Sequence, residues 1–420
     1  MNLSALEQAF DTREAGRAGQ REALDALIAS GLPTRKSELW KYTKAAPLAE
    51  FAIAALTDPA PTADIDAVRA RVAARIDALG GAGRLVFIDG ALDETLTQLP
   101  EGIRVEAASS AAVSATGADD ALALINAAMP GADLTLRVAS DVAIDGVLHV
   151  VHALAAQSSL GQVRLAIELA SRASLTVAEH FADDGIGAGM HNTVVSVRLA
   201  EDARLHLRRL QALGTDTLQV TRIEAALADH ATLDTVTVDA GGKTVRNDLN
   251  VRLEGPGARV DMRGVYLGND SQHIDNHTRV DHIARDTVSR EDYRGILRDR
   301  SRGVFNGKVY VHKGADGTDA AQSNPNLLLS DHAEIDTKPE LEIYADDVKC
   351  AHGATVGQID ETSLFYLRSR GIDEATALQL LTYAFCREVL TGIDNDTLRI
   401  AAEQLVADQI PDFSALELIA

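Results

Sequence analysis

Two residues apart in the run KCAHG, Lys349 to Gly353, Cys350 and His352 form the pair best placed for chemistry in this chain. Positions i and i+2 of an extended strand project from one face. A thiol beside an imidazole there has its pKa lowered toward the thiolate, and the two make a soft metal-ligand pair. Two ligands leave such a site half built. Its completion needs groups from elsewhere, and a second chain pairing at this last strand could supply them. The plainer alternative is a small buried Cys350 beside a surface His352 satisfied by ordinary hydrogen bonds. Cys386, next to Phe385 in a helical stretch, reads as core.

Three histidines in QHIDNHTRVDH, His273, His277 and His282, invite a zinc reading. On a strand His273 and His277 share a face while His282 points the other way, so the three do not converge on one tetrahedral ion. Asp346 and Asp347 are adjacent, hence on opposite faces, and are poor acid/base partners. GVFNGKV, Gly303 to Val309, has the wrong spacing for a phosphate loop, and GIGAG, Gly185 to Gly189, reads as a plain loop. There is no GxSxG, HExxH or CxxC.

The composition narrows what such a pair can serve. Across 420 residues, 40 Lys and Arg stand against 62 Asp and Glu, a formal charge of -22 that repels nucleic acid and anionic membrane surfaces. Two cysteines make no disulfide framework and cannot alone hold an iron–sulfur cluster, which usually takes four ligands. No secretory signal opens the chain and no apolar run is long enough to span a bilayer, so the expectation is a soluble, cytoplasmic protein. Aromatics at 4% with a single Trp argue against stacking sugars or bases.

Three regions emerge from the patterning: a mainly helical stretch over 1–131, a β core over 132–357 and a helical region over 358–420. In the first, Ile65, Val68, Val72, Ile76 and Leu79 make one helical stripe ended by Gly80 and Gly81. A short strand at Arg84 to Ile88 and a helix near Asp119 to Ala128 follow. Beyond Asp133 the chain reads as short alternating runs. A small residue between a polar turn and a strand recurs at Ala143, Ala173, Ala203, Ala231 and Ala258, spaced by 30, 30, 28 and 27 residues, and again at Ala333. Such a period, with strands and no intervening helices, predicts a parallel β-helix. A β-sandwich is the runner-up, but the only Asn-Gly hairpin signal is Asn306-Gly307. After Gly357, Asp360 and Asp373 are positioned to cap helices, the second bearing Leu378, Leu381, Phe385 and Val389, and a third runs from about Asp396 to Pro411. These helices are expected to cover exposed sheet edges, to offer a docking surface, or both.

At this point the runs PTRKSELWKYT (33–43), QHIDNHTRVDH (272–282), SREDYRGIL (289–297), the long segment from Gln322 to Asp360 and LFYLRSRGI (364–372) resemble the SufB/SufD family of iron–sulfur cluster assembly proteins, on the SufD side. The resemblance spans essentially the whole chain. It departs at Pro325, where a basic residue is expected. It implies a right-handed parallel β-helix flanked by helical regions, and a complex with SufB and two copies of the ATPase SufC. Pairing with SufB would use the solenoid edge, and the C-terminal helices would dock SufC. ATP would be hydrolysed by that partner, so this chain is expected to be an accessory subunit and not an enzyme. The match also carries the family's functional His onto His352 and its neighbouring Cys onto Cys350, as ligands for iron or a nascent cluster held transiently in the complex, with no cofactor tightly bound in isolation. A homodimer in isolation is a further expectation. The competing readings are a β-helix enzyme of the polysaccharide-lyase type and a purely structural scaffold.

Overall fold

The computed structural model describes residues 3–12, 19–34, 37–59, 64–108, 120–183 and 187–411. Outside them lie Asp119, Arg35 and Lys36 of the PTRKSELWKYT run, and Gly185 and Ile186 of the GIGAG run.

Two sheets carry the chain. One has ten strands: β1 (Gly83–Ile88), β2 (Ala91–Leu92), β5 (Ala143–Ala153), β7 (Ser174–Ala182), β9 (Arg204–Gln211), β11 (Thr232–Ala240), β13 (Arg259–Gly268), β15 (Val288–Leu297), β17 (Asp319–Leu328) and β19 (Lys349–Gly357). The other has nine: β3 (Ile103–Ala107), β4 (Ala132–Val138), β6 (Leu160–Leu169), β8 (Met190–Leu199), β10 (Leu218–Leu227), β12 (Thr244–Leu253), β14 (His273–His282), β16 (Arg302–Val311) and β18 (Glu334–Ile343). From β4 onward each strand crosses to the opposite sheet, and neighbours within a sheet are parallel. Among the described strands only β1–β2 and β3–β4 pair antiparallel. Eight strand pairs, from β4–β5 to β18–β19, therefore make a parallel β-solenoid, as the repeat predicts. β1 joins it by pairing with β5.

The repeat has a physical cause at the corner between strands. Arg172, Asp202, His230 and Gly257 adopt positive φ of 60°, 57°, 54° and 71°, the left-handed turn that redirects the chain. The alanine after each, at 173, 203, 231 and 258, is completely buried beneath that corner. Ala333 is nearly so, whereas Ala143 is exposed where β5 shifts register against β7. Inward positions then stack: Leu175, Leu205, Leu233 and Val260 lie in register on successive strands, all buried. Each such side chain contributes roughly 1.5–3 kcal/mol of burial.

The Asn306-Gly307 pair lies inside β16 and makes no hairpin. Pro325 likewise lies in a strand, β17, where it interrupts the ladder with β15; Asn324 Nδ2 donates to the Tyr293 carbonyl at 2.7 Å in place of a missing backbone donor.

Helices clothe the outer faces. α1 (Leu3–Asp11) packs on α3 (Ala45–Thr57) and α2 (Gln20–Ser30) on α5 (Ala121–Ala128); α3 and α5 pack on β6 and β8, and α4 (Ile65–Leu79) lies against β5 with Val68, Val72 and Ile76 buried. Asp64 caps α4 by accepting from the Ala67 N–H. At the other end α6 (Glu361–Ser369), α7 (Glu374–Leu390) and α8 (Asp396–Asp408) start at Asp360, Asp373 and Asn395, whose side chains accept from the third residue on. Of the predicted stripe Leu378, Leu381, Phe385 and Val389, Val389 is buried and the other three are half-buried; the buried seam of α7 runs through Thr382, Cys386 and Val389. Cys386 takes the core place, while Phe385 sits half-buried under the Arg294 guanidinium, 5.3 Å from its ring centre. α7 packs on β13 and β15, and α8 on β11. These two helices thus lie on a sheet face, and the outermost strands stay uncovered, β18 half-buried and β19 largely exposed. Among the described residues no helix is long and apolar enough to cross a membrane.

Candidate functional site

β19 is the last strand of its sheet and pairs only with β17, placing Cys350 beside Ala320 and His352 beside Gln322. In-register neighbours on parallel strands point the same way. Following the register back, Cys350 ends a column through Ala320, Ser289, Val260 and Leu233, and His352 ends one through Gln322, Glu291, Met262 and Thr235. Both columns belong to the interior, so the pair does share a face, and that face looks into the lumen. It remains accessible because no further coil covers it. Cys350 is half-buried against Val309, Val311 and Ala320, and His352 is exposed.

Burial pushes the Cys350 thiol above its ordinary value, and the nearby Asp319 carboxylate adds to this, against the pull of a backbone hydrogen bond with Ala320. This direction runs against the activation expected from an imidazole neighbour, and a metal binding here displaces the thiol proton. Among the described residues no three His, Cys, Asp or Glu side chains come together as a metal site. The pair supplies two soft donors on an open rim, a set that suits iron or a cluster only with ligands from a second chain. Replacing Cys350 with Ala should lower cluster formation by no more than about threefold, less than loss of His352, as measured by iron and sulfide content.

Around the pair the rim leaves apolar side chains exposed and strand edges unpaired. Ile343, Tyr344 and Val356 are between two-fifths and three-fifths exposed, and β18 and β19 each present one edge to solvent.

The three histidines of β14 serve structure. Thr43 Oγ1 donates to Asp275, so His273 Nε2, 2.6 Å away, donates to Thr43. Asp275, fully buried, also accepts from Arg246 at 2.9 Å and lies 2.9 Å from His277 Nε2. Arg246 in turn covers the ring of Trp40 at 4.2 Å. Burial opposes ionisation of Asp275, but His277 and Arg246 hold it well below the usual carboxylate range. This cluster fastens the PTRKSELWKYT segment to the solenoid. His282 faces the lumen, bonded to Thr287 and Ser289.

Inside the lumen lies a set of polar groups that motif reading passed over. Glu179 meets His152 at 3.0 Å and Arg209 at 2.7 Å, and Arg209 reaches Asn247, which donates to Asp239. Nearer the open end Glu291 accepts from Thr278 Oγ1 at 2.6 Å and from Gln322 Nε2 at 3.2 Å. The available signal was a carboxylate at an inward parity of SREDYRGIL. Burial pushes Glu291 up to about 7 despite those two hydrogen bonds. The folded chain keeps this proton up to about pH 7, while an unfolded chain releases it near 4.5, so stability owed to this group falls as pH rises through that window. Glu291→Gln should remove the loss, gaining of order 3 kcal/mol over wild type at pH 8 relative to pH 4 in urea unfolding.

Residues 152–385 match the family model described as SUF system FeS cluster assembly, SufBD core domain. The chain is 30% identical to the iron–sulfur cluster assembly protein SufD of Escherichia coli, over 97% of this chain and 95% of that protein. The chain belongs to the SufBD family. Other SufBD family relatives include a protein of Synechocystis, 26% identical over 92% of this chain and 89% of that protein. A protein of Mycobacterium leprae is 34% identical over 53% of this chain and 58% of its own length. The match to the SufBD core takes in the solenoid from the end of β5 onward and both members of the Cys350/His352 pair.

Proposed function

We propose that this chain is the non-ATPase subunit of an iron–sulfur cluster assembly complex that pairs with SufB through the open end of the solenoid. The observation that carries the reading is that Cys350 and His352 lie together on the outermost strand, two donors short of a site, beside exposed edges of both sheets. A partner strand continuing either sheet would satisfy the unpaired backbone groups of β18 or β19 and bring its own ligands to the rim. Iron or the nascent cluster is the cargo, held between chains, and no cofactor resides in this chain alone. SufC would dock on the C-terminal helices, where Phe365 and Tyr366 of α6 are the most exposed aromatic pair among the described residues. Without SufB, the same edge would pair two copies of this chain.

Co-expression with SufB and SufC, followed by affinity purification and anaerobic iron and sulfide analysis, tests the reading. A stable complex carrying iron and sulfide is expected, and failure of SufB to co-purify would remove the proposal. The scaffold alternative requires the same complex with cluster yield indifferent to His352. The lyase alternative has less support: a groove of about 1060 Å3 outside the nine-stranded sheet is lined by charged residues such as Arg104, Arg137, Glu168 and Arg198 and by no aromatic side chain.

A further inference from the structure

Directly beneath His352 in its inward column is Gln322, buried to 3% exposure. Its Nε2 donates to Glu291 at 3.2 Å, and Glu291 is itself held by Thr278 Oγ1 at 2.6 Å. The amide is therefore fixed from below. Its Oε1 is fully buried and has no hydrogen-bond partner. A buried carbonyl oxygen left without a donor is costly, of order 1–3 kcal/mol, and the arrangement calls for a donor. Adjacent strands stand only about 4.8 Å apart, which brings an imidazole N–H on β19 within reach of this oxygen.

Gly307 of β16, across the lumen, makes room for the arrangement. A Cβ built there would fall 2.1 Å from Gln322 Nε2 and 2.8 Å from its Cδ. Glycine at this position, within the run that superficially resembles a phosphate loop, thus admits the Gln322 amide to the lumen.

We propose that Gln322, anchored by Glu291 and Thr278, is a positioning residue for His352: its Oε1 accepts from one imidazole nitrogen and leaves the other unprotonated and facing the open rim. The inference rests on the reading of His352 as a ligand. A ring fixed in one neutral tautomer presents a lone pair to an incoming metal without first paying to orient, which is the usual task of a group behind a metal-binding histidine. Neither Gln322 nor Glu291 touches the cargo, and their effect passes through the ring.

The test is long-range 1H–15N correlation NMR of the full chain labelled at histidine, at pH 8, with His352 identified by its loss in His352→Ala. Wild type should show His352 as a single tautomer, one nitrogen protonated and the other not. Gln322→Met, which keeps length and removes the acceptor, and Gly307→Ala, which displaces the amide without removing it, should both give averaged nitrogen shifts. Cluster content of the co-expressed complex should fall about tenfold in either variant. Averaged shifts already present in wild type would overturn the proposal without any variant, so it stays decidable should neither variant fold. Unchanged shifts in both folded variants would overturn it too. If His352→Ala leaves cluster yield normal, the ligand reading fails even where the tautomer responds to Gln322; if yield falls with His352→Ala but the tautomer ignores Gln322, the positioning role alone fails.

Discussion

Replacing His352 with Ala should cut iron–sulfur cluster formation by at least tenfold while the complex with SufB and SufC still assembles. The two halves of this expectation have separate physical grounds. His352 is exposed on the outermost strand, so truncating it removes no apolar packing and at most one hydrogen bond, too little to unfold the chain. The edges that would pair with a partner are made by backbone groups of β18 and β19, which the substitution leaves in place. What the proposed site loses is one of its two donors from this chain, and a site short of a ligand binds metal far more weakly. The measurement is iron and acid-labile sulfide per complex purified anaerobically, alongside the ratio of subunits. Normal cluster content in an intact complex would reject the site. Loss of the complex itself would instead make His352 an interface residue.

The second large effect concerns stability. Asp275→Ala should destabilise the fold by about 3–5 kcal/mol, because it strips one carboxylate from a buried pair and leaves Arg246 with Asp248 as its remaining acid. Thr43 loses its acceptor in the same step, and the hydroxyl that holds His273 is no longer fixed. Trp40, the only tryptophan, lies against Arg246, so its fluorescence reports release of the N-terminal segment directly. The expected result is a lower urea midpoint with Trp40 emission shifted to the red before global unfolding. Unchanged emission and midpoint would show that the segment is held by other contacts. Asp275→Asn, which keeps the shape and some of the hydrogen bonds, should fall between wild type and Ala.

Particular residues show why the sequence was informative about the fold. The alanines at 173, 203, 231 and 258 recur because each coil must turn a left-handed corner over a small side chain, a constraint repeated every 27 to 30 residues and therefore visible as a period. Asp360 and Asp373 act within four residues of their own position, so their caps were readable. Cys350 and His352 were likewise readable as a same-face pair, because strand parity is local. The α7 seam was misjudged for the opposite reason. Which apolar line a helix buries depends on the surface it meets, and Arg294 on β15 takes Phe385 as a half-exposed partner while Thr382, Cys386 and Val389 turn inward.

The chain alone determined the coil, its repeat, its caps, and a thiol and imidazole on one side of the final strand. Only the tertiary structure decided that this side faces the lumen at an uncovered end, that burial pushes the thiol there upward, and that Gln322, Glu291 and Thr278 stand behind the ring. Those outcomes depend on which residues of coils about 30 positions apart fall in register. Stacking of one coil on another is a non-local event, and the polarity of a lumen appears only once the walls that exclude water are closed around it.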